Sequence, residues 1–166
     1  MKKRNHIADH KPHVGEAIQV GGYLIFVGGI EHLKLGFNPE VGFDVVVPLT
    51  DLWQPSEHGN YELVFDFLLP DLGGLPEDWS QRLTETFMPK LAQEKRVVVF
   101  CYAGHGRTGT LIASLIALLE PEEGDPIAAT RQRYCLQAVE SKAQAEGIFA
   151  VKSESLPESY AGSFKF

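Results

Sequence analysis

The feature that most constrains this chain is an apolar strand that runs into a glycine-rich loop and then directly into a helix. Residues 97–100 are Val-Val-Val-Phe, the loop begins at Cys101 and carries Arg107, and an apolar run follows at 111–119. A strand that is apolar on both faces is typical of the centre of a parallel sheet. A loop at a helix N-terminus directs backbone N–H groups and the positive end of the helix dipole at one point. The pattern therefore predicts an anion site with a cysteine beside it, on what we call the cysteine loop (residues 101–107).

Strand-like and helix-like segments alternate along the rest of the chain. Strands are predicted at 17–20 and 23–27, around a Gly21-Gly22 turn, and at 43–47, 61–65 and 96–100. Helices are predicted from Pro76 onward and at 107–120, 126–139 and 140–150. Pro89 is expected to kink or shorten the first of these helices. This order predicts an α/β fold in which a central, mainly parallel sheet of about four to five strands is flanked by helices.

The length and composition indicate one domain. The chain has 166 residues, of which residues 17–150 are expected to form the core. A loosely held polar segment at 1–15 and a tail at 151–166 are expected to flank that core. No apolar run is long enough to span a membrane, and the polar start lacks the apolar run of a secretion signal. A cytoplasmic protein without a membrane span is therefore expected.

The net charge, Cys135 and the N-terminal histidines indicate whether nucleic acid, disulfide bonds or a metal ion should be expected. A formal net charge of −7 disfavours a nucleic-acid partner, because phosphate contacts require a basic surface. Cys135 is interpreted as a core or partly exposed thiol within a helix, and two cysteines are too few for a disulfide framework. His6, His10 and His13 approach helical spacing, but Pro12 interrupts it and no carboxylate completes a site. They are interpreted as an exposed tail, and no metal is expected.

The cysteine loop carries the groups needed to bind and cleave a phosphate ester. A cysteine attacks as the thiolate, which helix N-termini and nearby cations favour. Arg107 presents a planar fork that binds two phosphoryl oxygens at once. Gly104 and Gly106 let the backbone curl inward without a Cβ clash. Thr108 is placed to donate its hydroxyl to the sulfur of Cys101.

A competing motif occupies the same residues. The stretch 104–109 satisfies G-x-G-x-x-G, the dinucleotide-binding pattern. That pattern requires an acidic residue at the end of the next strand, about 20 residues further on. Residues 120–125 form a helix-ending loop with no strand before it. The ATP-binding loop is disfavoured as well, because Thr110 stands where its lysine would be.

Cleavage of a phosphate ester also needs a proton donor for the leaving oxygen, and a carboxylic acid on a nearby loop can supply one. Asp71 is the first candidate, since it lies in a Pro- and Gly-rich loop directly after a strand. We call residues 69–76 the acid loop. Asp66, at the end of the same strand, is the alternative.

Together these residues resemble the cysteine-dependent protein tyrosine phosphatase superfamily, in particular its small dual-specificity-like members. The family signature of Cys, five residues, Arg and then Ser or Thr matches 101–108, and the fuller pattern extends to Thr110. Asp71 lies thirty residues before Cys101, about where the family carries its acid. The acid loop resembles the Pro-Asp-Gly-Gly-x-Pro loop of small tyrosine phosphatases, with Leu72 inserted. The likeness covers roughly residues 17–150.

The resemblance implies a function and a set of roles. It implies hydrolysis of phosphotyrosine, with phosphoserine and phosphothreonine as further candidates, through a phosphocysteine on Cys101 with Asp71 as acid and then base. Thr108 would help the sulfur depart, and no metal or cofactor would take part. The substrate would be a phosphorylated protein or a small phosphate ester, and the enzyme a monomer. The phosphate would be bound by the cysteine loop, that is by Tyr102, Ala103, Gly104, His105, Gly106 and Arg107.

One departure from the family keeps other readings open. Most members carry a histidine directly before the nucleophile, and here Phe100 stands in that place. A catalytically impaired phosphate-binding module is therefore an alternative. A non-protein phosphate ester is another, although Tyr102 and His105 occupy positions that are often lysine in phosphoinositide phosphatases. His105 is expected on the rim of the site.

Overall fold

The computed structural model describes residues 12–166, and a five-stranded sheet forms its centre. The strands are β1 (Val14–Val20), β2 (Tyr23–Gly29), β3 (Val45–Pro48), β4 (Glu62–Leu63) and β5 (Val97–Cys101). Their order across the sheet is β1-β2-β5-β3-β4. β1 and β2 form an antiparallel hairpin, and the pairings β2–β5, β5–β3 and β3–β4 are parallel. The predicted α/β fold with a mainly parallel central sheet is confirmed.

The apolar run that feeds the cysteine loop occupies the middle of this sheet. Every residue of β5 is buried, as a strand covered on both faces must be. Cys101 therefore emerges at the carboxyl end of the central strand, where ligands bind in open parallel sheets. β4 spans only two residues, shorter than the predicted strand at 61–65.

One face of the sheet is covered by the Ile30–Leu35 turn and the loop residues Phe37 and Trp53, and the other face is covered by helices. They are α1 (Trp79–Arg82), a π-helical turn (Leu83–Phe87), α2 (Met88–Ala92), α3 (Gly106–Leu119), α4 (Pro126–Arg133) and α5 (Lys142–Val151). Two short 3-10 helices lie at Ile30–Leu35 and Glu158–Tyr160. Within residues 12–166, no helix is both long enough and apolar enough to cross a membrane.

The first helical segment continues through its proline. Trp79, Leu83, Phe87 and Leu91 are all buried, as their spacing predicts. Pro89 is expected from the sequence to kink or shorten this helix; a π-helical turn lies directly before α2, and the helical segment ends at Ala92, three residues after the proline. Pro89 then lies in the first turn of α2, where its missing N–H costs no intrahelical bond.

α4 ends six residues before the predicted limit of 139, and a loop follows at 134–140. Val139 adopts a positive φ of 64°, which a helix cannot contain. The guanidinium of Arg131, on α4, donates to the carbonyls of Ala138 and Val139 and fixes the loop against α4. Ala138 lies so close to Gly109 that a Cβ there would be 2.5 Å away. Cys135 is therefore buried in a loop and not in a helix, contrary to the sequence prediction.

The described parts of the two flanking segments, from residue 12 and from residue 151 onward, are better packed than predicted. His13 is only 2% exposed, so it does not belong to an exposed tail. His6 and His10 lie outside the described residues. At the other end, Tyr160 stacks on Phe164, and the carbonyl of Phe166 accepts from the N–H of Lys142. These contacts place the predicted tail against α5.

Candidate active site

Cys101 lies under the cysteine loop with two hydrogen-bond donors on its sulfur. It is 3% exposed. The N–H of Gly104 donates to the sulfur over 3.2 Å, and the hydroxyl of Thr108 donates over 3.1 Å. Gly104 has a φ of +86°, a conformation that favours glycine and turns its N–H toward the sulfur. These two donors hold the sulfur in a fixed position under the loop.

Arg107 and Asp71 meet beside the cysteine loop. The Nε of Arg107 lies 3.9 Å from Oδ1 of Asp71, and the side chains are 10% and 74% exposed. Nη1 of Arg107 donates to the carbonyl of Leu69 over 3.4 Å, which links the acid loop to the arginine. Leu72, the next residue after Asp71, adopts a positive φ of 59°. The acid loop is thus bent so that its carboxylate reaches the start of α3.

These side chains border a cleft of about 550 Å³. The lining residues are Thr50, Asp51, Leu52, Leu68, Leu69, Pro70, Asp71, Tyr102 and Arg107. Asp66 does not line the cleft, and its main-chain carbonyl accepts from Arg82. Of the two candidate acids, the structure therefore brings Asp71 to the arginine and leaves Asp66 outside.

The remaining loop side chains point in different directions. Tyr102 is 48% exposed and lines the cleft. Ala103 lies against the backbone of β2, and Gly104 and Gly106 are buried. His105 is buried too, so the expectation that it lies on the rim is wrong. Its ring turns to the back of the loop, where a glycine before it and one after it leave room.

A buried polar cluster lies at this back face, and the sequence offers no motif for it. Nδ1 of His105 is 3.6 Å from the sulfur of Cys135, and the rings of His105 and His13 meet edge to face. Tyr134 donates its hydroxyl to the carbonyl of Gly104. Burial lowers the pKa of His13, but hydrogen bonds to Cys135 and Glu16 outweigh it and raise the pKa to about 9. The cluster therefore favours a positive charge behind the loop.

Phe100 belongs to a separate aromatic cluster. It is fully buried, with its ring 5.7 Å from that of Phe37 and 5.2 Å from that of Trp53. The residue directly before Cys101 thus packs on one face of the sheet, and the polar side chains near the loop include the histidines behind it.

Glu140 is a site residue that the sequence analysis missed. The N–H of Gly106 hydrogen-bonds its carboxylate, and a Cβ on Gly106 would lie 2.8 Å from Oε1. Burial, together with the negative charge of Asp71, raises the pKa of Glu140. A second carboxylate therefore lies near Asp71 and Arg107, at the start of α3. No spacing rule predicts it, because it depends on how the 134–140 loop folds back on the helix.

Glu140→Gln is expected to stabilise the protein at alkaline pH. A carboxyl group whose pKa is raised by folding binds its proton more tightly in the native state, so its ionisation destabilises the fold as pH rises. Glutamine keeps an acceptor for Gly106 without the charge. We expect the free energy of unfolding in urea to rise by roughly 0.5–1 kcal/mol at pH 8, in the range of a partly exposed charge. This increase in the free energy of unfolding should vanish near pH 4. An equal increase at both pH values would contradict a raised pKa for Glu140 as its cause.

Gly29→Ala tests the packing that holds the cysteine loop. Gly29 pairs with Cys101 in the β2–β5 ladder, and a Cβ there would lie 2.6 Å from the carbonyl carbon of Ala103. Overpacking of this kind costs about 1–3 kcal/mol, and here it also displaces the loop. We expect a lower melting temperature and at least a tenfold loss of anion affinity. Gly124→Ala, at a position with open space, is the matched control and should change neither.

Comparison with known proteins supports the fold. Residues 73–144, which contain the cysteine loop and begin just after Asp71, match the protein-tyrosine phosphatase family model. The chain also superposes on Tk-PTP in its active form, with a TM-score of 0.62 at 18% identity over 83% of this chain and 97% of that one. The chain has the protein-tyrosine phosphatase fold. The resemblance found in the sequence is thereby confirmed.

Other phosphatases share this fold at low sequence identity. Kinase-associated phosphatase, in a form whose catalytic cysteine is replaced by serine, gives a TM-score of 0.62 at 13% identity, covering 86% of this chain and 94% of that one. PTPMT1 in complex with PI(5)P gives 0.58 at 14% identity, covering 83% and 96%. The phosphatase fold therefore does not by itself fix the substrate.

Two curated relatives match a shorter segment. They are the uncharacterized proteins MJ0215 and MJECL20 of Methanocaldococcus jannaschii, each 46% identical to this chain, over 58 and 54 residues respectively. The matched segment spans 35% of each relative's length and about a third of this chain.

Proposed function

We propose that this chain is a cysteine-dependent phosphatase that hydrolyses phosphotyrosine and related aryl phosphates through a phosphocysteine on Cys101. The observation that carries the proposal is the sulfur of Cys101 with two hydrogen-bond donors, Gly104 at 3.2 Å and Thr108 at 3.1 Å. Arg107 and Asp71 line the cleft next to the cysteine loop. A stabilised nucleophile, a bidentate phosphate ligand and an acid are the three groups that the reaction requires.

In the first step, the thiolate of Cys101 attacks phosphorus, and the bond to the ester oxygen breaks. Asp71 gives its proton to that oxygen, so the leaving group departs as a neutral alcohol or phenol. Arg107 and the backbone N–H groups of the cysteine loop hold the other phosphoryl oxygens. Stabilisation of the charge that develops on these oxygens is expected to be the largest catalytic contribution.

In the second step, water attacks the phosphocysteine. Asp71, now ionised, takes a proton from the water, and the sulfur–phosphorus bond breaks. The electron pair returns to the sulfur of Cys101 as a thiolate, and inorganic phosphate leaves. The hydroxyl of Thr108 donates to the departing sulfur, which is the hydrogen bond that the structure already contains.

The walls of the cleft favour an aromatic ester. Leu52, Leu68 and Tyr102 are exposed apolar or aromatic side chains at its border. Among the lining residues of the described chain, Arg107 is the one Lys or Arg, whereas Asp51 and Asp71 add negative charge. Burial against apolar side chains stabilises a bound phenyl ring, whereas a polyphosphorylated headgroup needs further positively charged side chains to bind its phosphates. Phosphotyrosine therefore fits better than an inositol phosphate.

A substrate panel tests the proposal. Values of kcat/KM are measured for para-nitrophenyl phosphate, a phosphotyrosine peptide, the matched phosphothreonine peptide and PI(5)P. We expect the phosphotyrosine peptide to exceed the phosphothreonine peptide by at least about tenfold, and PI(5)P to be the poorest. A preference for PI(5)P would overturn the substrate class. No turnover of any of the four would favour the impaired phosphate-binding module.

A further inference from the structure

The buried cluster behind the cysteine loop has the composition of a metal site. His13 lies just before β1, His105 lies in the cysteine loop, and Cys135 lies in the 134–140 loop. All three are buried, and one ligand atom from each lies within 4.8 Å of the other two. None of them lines the cleft. The cluster is thus a separate feature in which three distant parts of the chain converge.

The donor set and its spacing suit a zinc-like ion. Two imidazole nitrogens and one thiolate are the ligands that Zn²⁺ and its transition-metal neighbours prefer. Bonds of about 2.0–2.1 Å to nitrogen and 2.3 Å to sulfur place tetrahedral ligands roughly 3.3–3.6 Å apart. The observed 3.6 Å between Cys135 Sγ and His105 Nδ1 equals such an edge. A separation at the 4.8 Å limit must close by about 1.2–1.5 Å to reach such an edge, which requires side-chain rotation.

Glu16 completes the surroundings of His13. Its Oε1 lies 2.9 Å from Nδ1 of His13. A metal-bound histidine nearly always donates its second ring N–H to a carboxylate or a carbonyl, which fixes its tautomer and orientation. With Nδ1 held by Glu16, Nε2 is the nitrogen that would bind the ion. The carboxylate also adds negative charge beside a cation.

The cluster is joined directly to the catalytic loop. The carbonyl of His13 accepts from the N–H of Gly29, and Gly29 lies against Ala103. A Cβ on Gly104 would lie 3.1 Å from the His13 side chain. An ion bound here would therefore fasten the start of β1 and the 134–140 loop to the cysteine loop. It would also place positive charge behind the nucleophile, in a chain that has Phe100 where relatives use a histidine.

We propose that His13, His105 and Cys135 bind one zinc-like divalent ion, which supports the cysteine loop from behind. Three protein ligands leave one coordination position for water. The ion takes no part in phosphoryl transfer; it positions the loop. The proposal does not depend on the substrate, and it makes the geometry of the loop depend on metal.

Metal content tests the proposal independently of activity. Tag-free protein is purified without chelator from zinc-supplemented medium, and metal is measured by inductively coupled plasma mass spectrometry. We expect about one zinc per chain, as one three-ligand site requires. After chelation, added Co²⁺ should produce a thiolate-to-cobalt charge-transfer band. Wild-type protein that holds no zinc and gives no such band would show a hydrogen-bonded cluster only and would overturn the proposal.

Matched variants locate the ion. Cys135→Ser and His13→Gln should lose the zinc and the cobalt band, whereas Cys101→Ser should keep both. The double variant His6→Gln/His10→Gln should also keep both, which separates this cluster from the N-terminal histidines. Retention of metal by Cys135→Ser, or its loss from Cys101→Ser, would contradict the assignment. Wild-type cobalt spectra remain decisive even if a cluster variant fails to fold.

Discussion

Cys101→Ser is expected to abolish turnover while leaving phosphate binding in place. Serine keeps the size of the side chain and can still accept from Gly104 and Thr108, but its hydroxyl is a far poorer nucleophile near neutral pH. Loss of a covalent nucleophile costs on the order of 10⁴-fold or more in kcat. Arg107 and the loop backbone remain. We therefore expect kcat for para-nitrophenyl phosphate to fall to the level of buffer.

The controls for this prediction are a binding measurement and a second variant at Cys101. Calorimetry with inorganic phosphate should give the Cys101→Ser variant an affinity within about threefold of wild type, because the anion ligands are unchanged. Cys101→Ala serves as a second nucleophile variant without a hydroxyl. If either variant keeps more than about a hundredth of wild-type kcat, the covalent mechanism is wrong.

Asp71→Asn is expected to lower kcat by about 10²–10⁴-fold, the usual contribution of a general acid. Asparagine preserves the size of the side chain and its place near Arg107 but has no proton to give to the leaving oxygen. The loss should therefore be larger for phenyl phosphate, a poor leaving group, than for para-nitrophenyl phosphate, a good one. Phosphate affinity should not fall.

Asp66→Asn is the matched control. Asp66 lies in the same stretch of chain, is exposed and does not line the cleft. Its substitution should change kcat less than about twofold, because no proton transfer depends on it. If Asp66→Asn shows the large loss and the leaving-group dependence, and Asp71→Asn does not, the acid has been assigned to the wrong residue.

The candidate catalytic groups could be proposed from sequence because they follow local rules. A buried β-branched run, a cysteine at its end and glycines before a helix describe one continuous unit, and β5, the cysteine loop and α3 match it closely. Asp71 could also be identified as a candidate from sequence, since the acid loop follows a strand of the same sheet. The choice of Asp71 over Asp66 required the structure, which shows the Asp71 carboxylate 3.9 Å from Nε of Arg107.

The residues behind the loop could not be predicted, because they depend on long-range packing. The interval from His13 to Cys135 spans most of the chain, and no local pattern links them. The sequence predicts a helix at 126–139, which would place Cys135 on a helix. The helix ends earlier because Ala138 packs on Gly109, a contact that local sequence does not predict. Glu140 was missed for the same reason. Tertiary contacts there override local helix preference.

The most direct test of the central claim is to trap the phosphorylated enzyme. Wild-type protein is mixed with ³²P-labelled phosphotyrosine peptide, quenched within milliseconds in alkaline detergent, and digested for mass spectrometry. The account predicts a phosphoryl group on the peptide that contains Cys101, and none on Cys101→Ser treated in the same way. Turnover of the substrate without label on that peptide, or label on another residue in both proteins, would contradict the account.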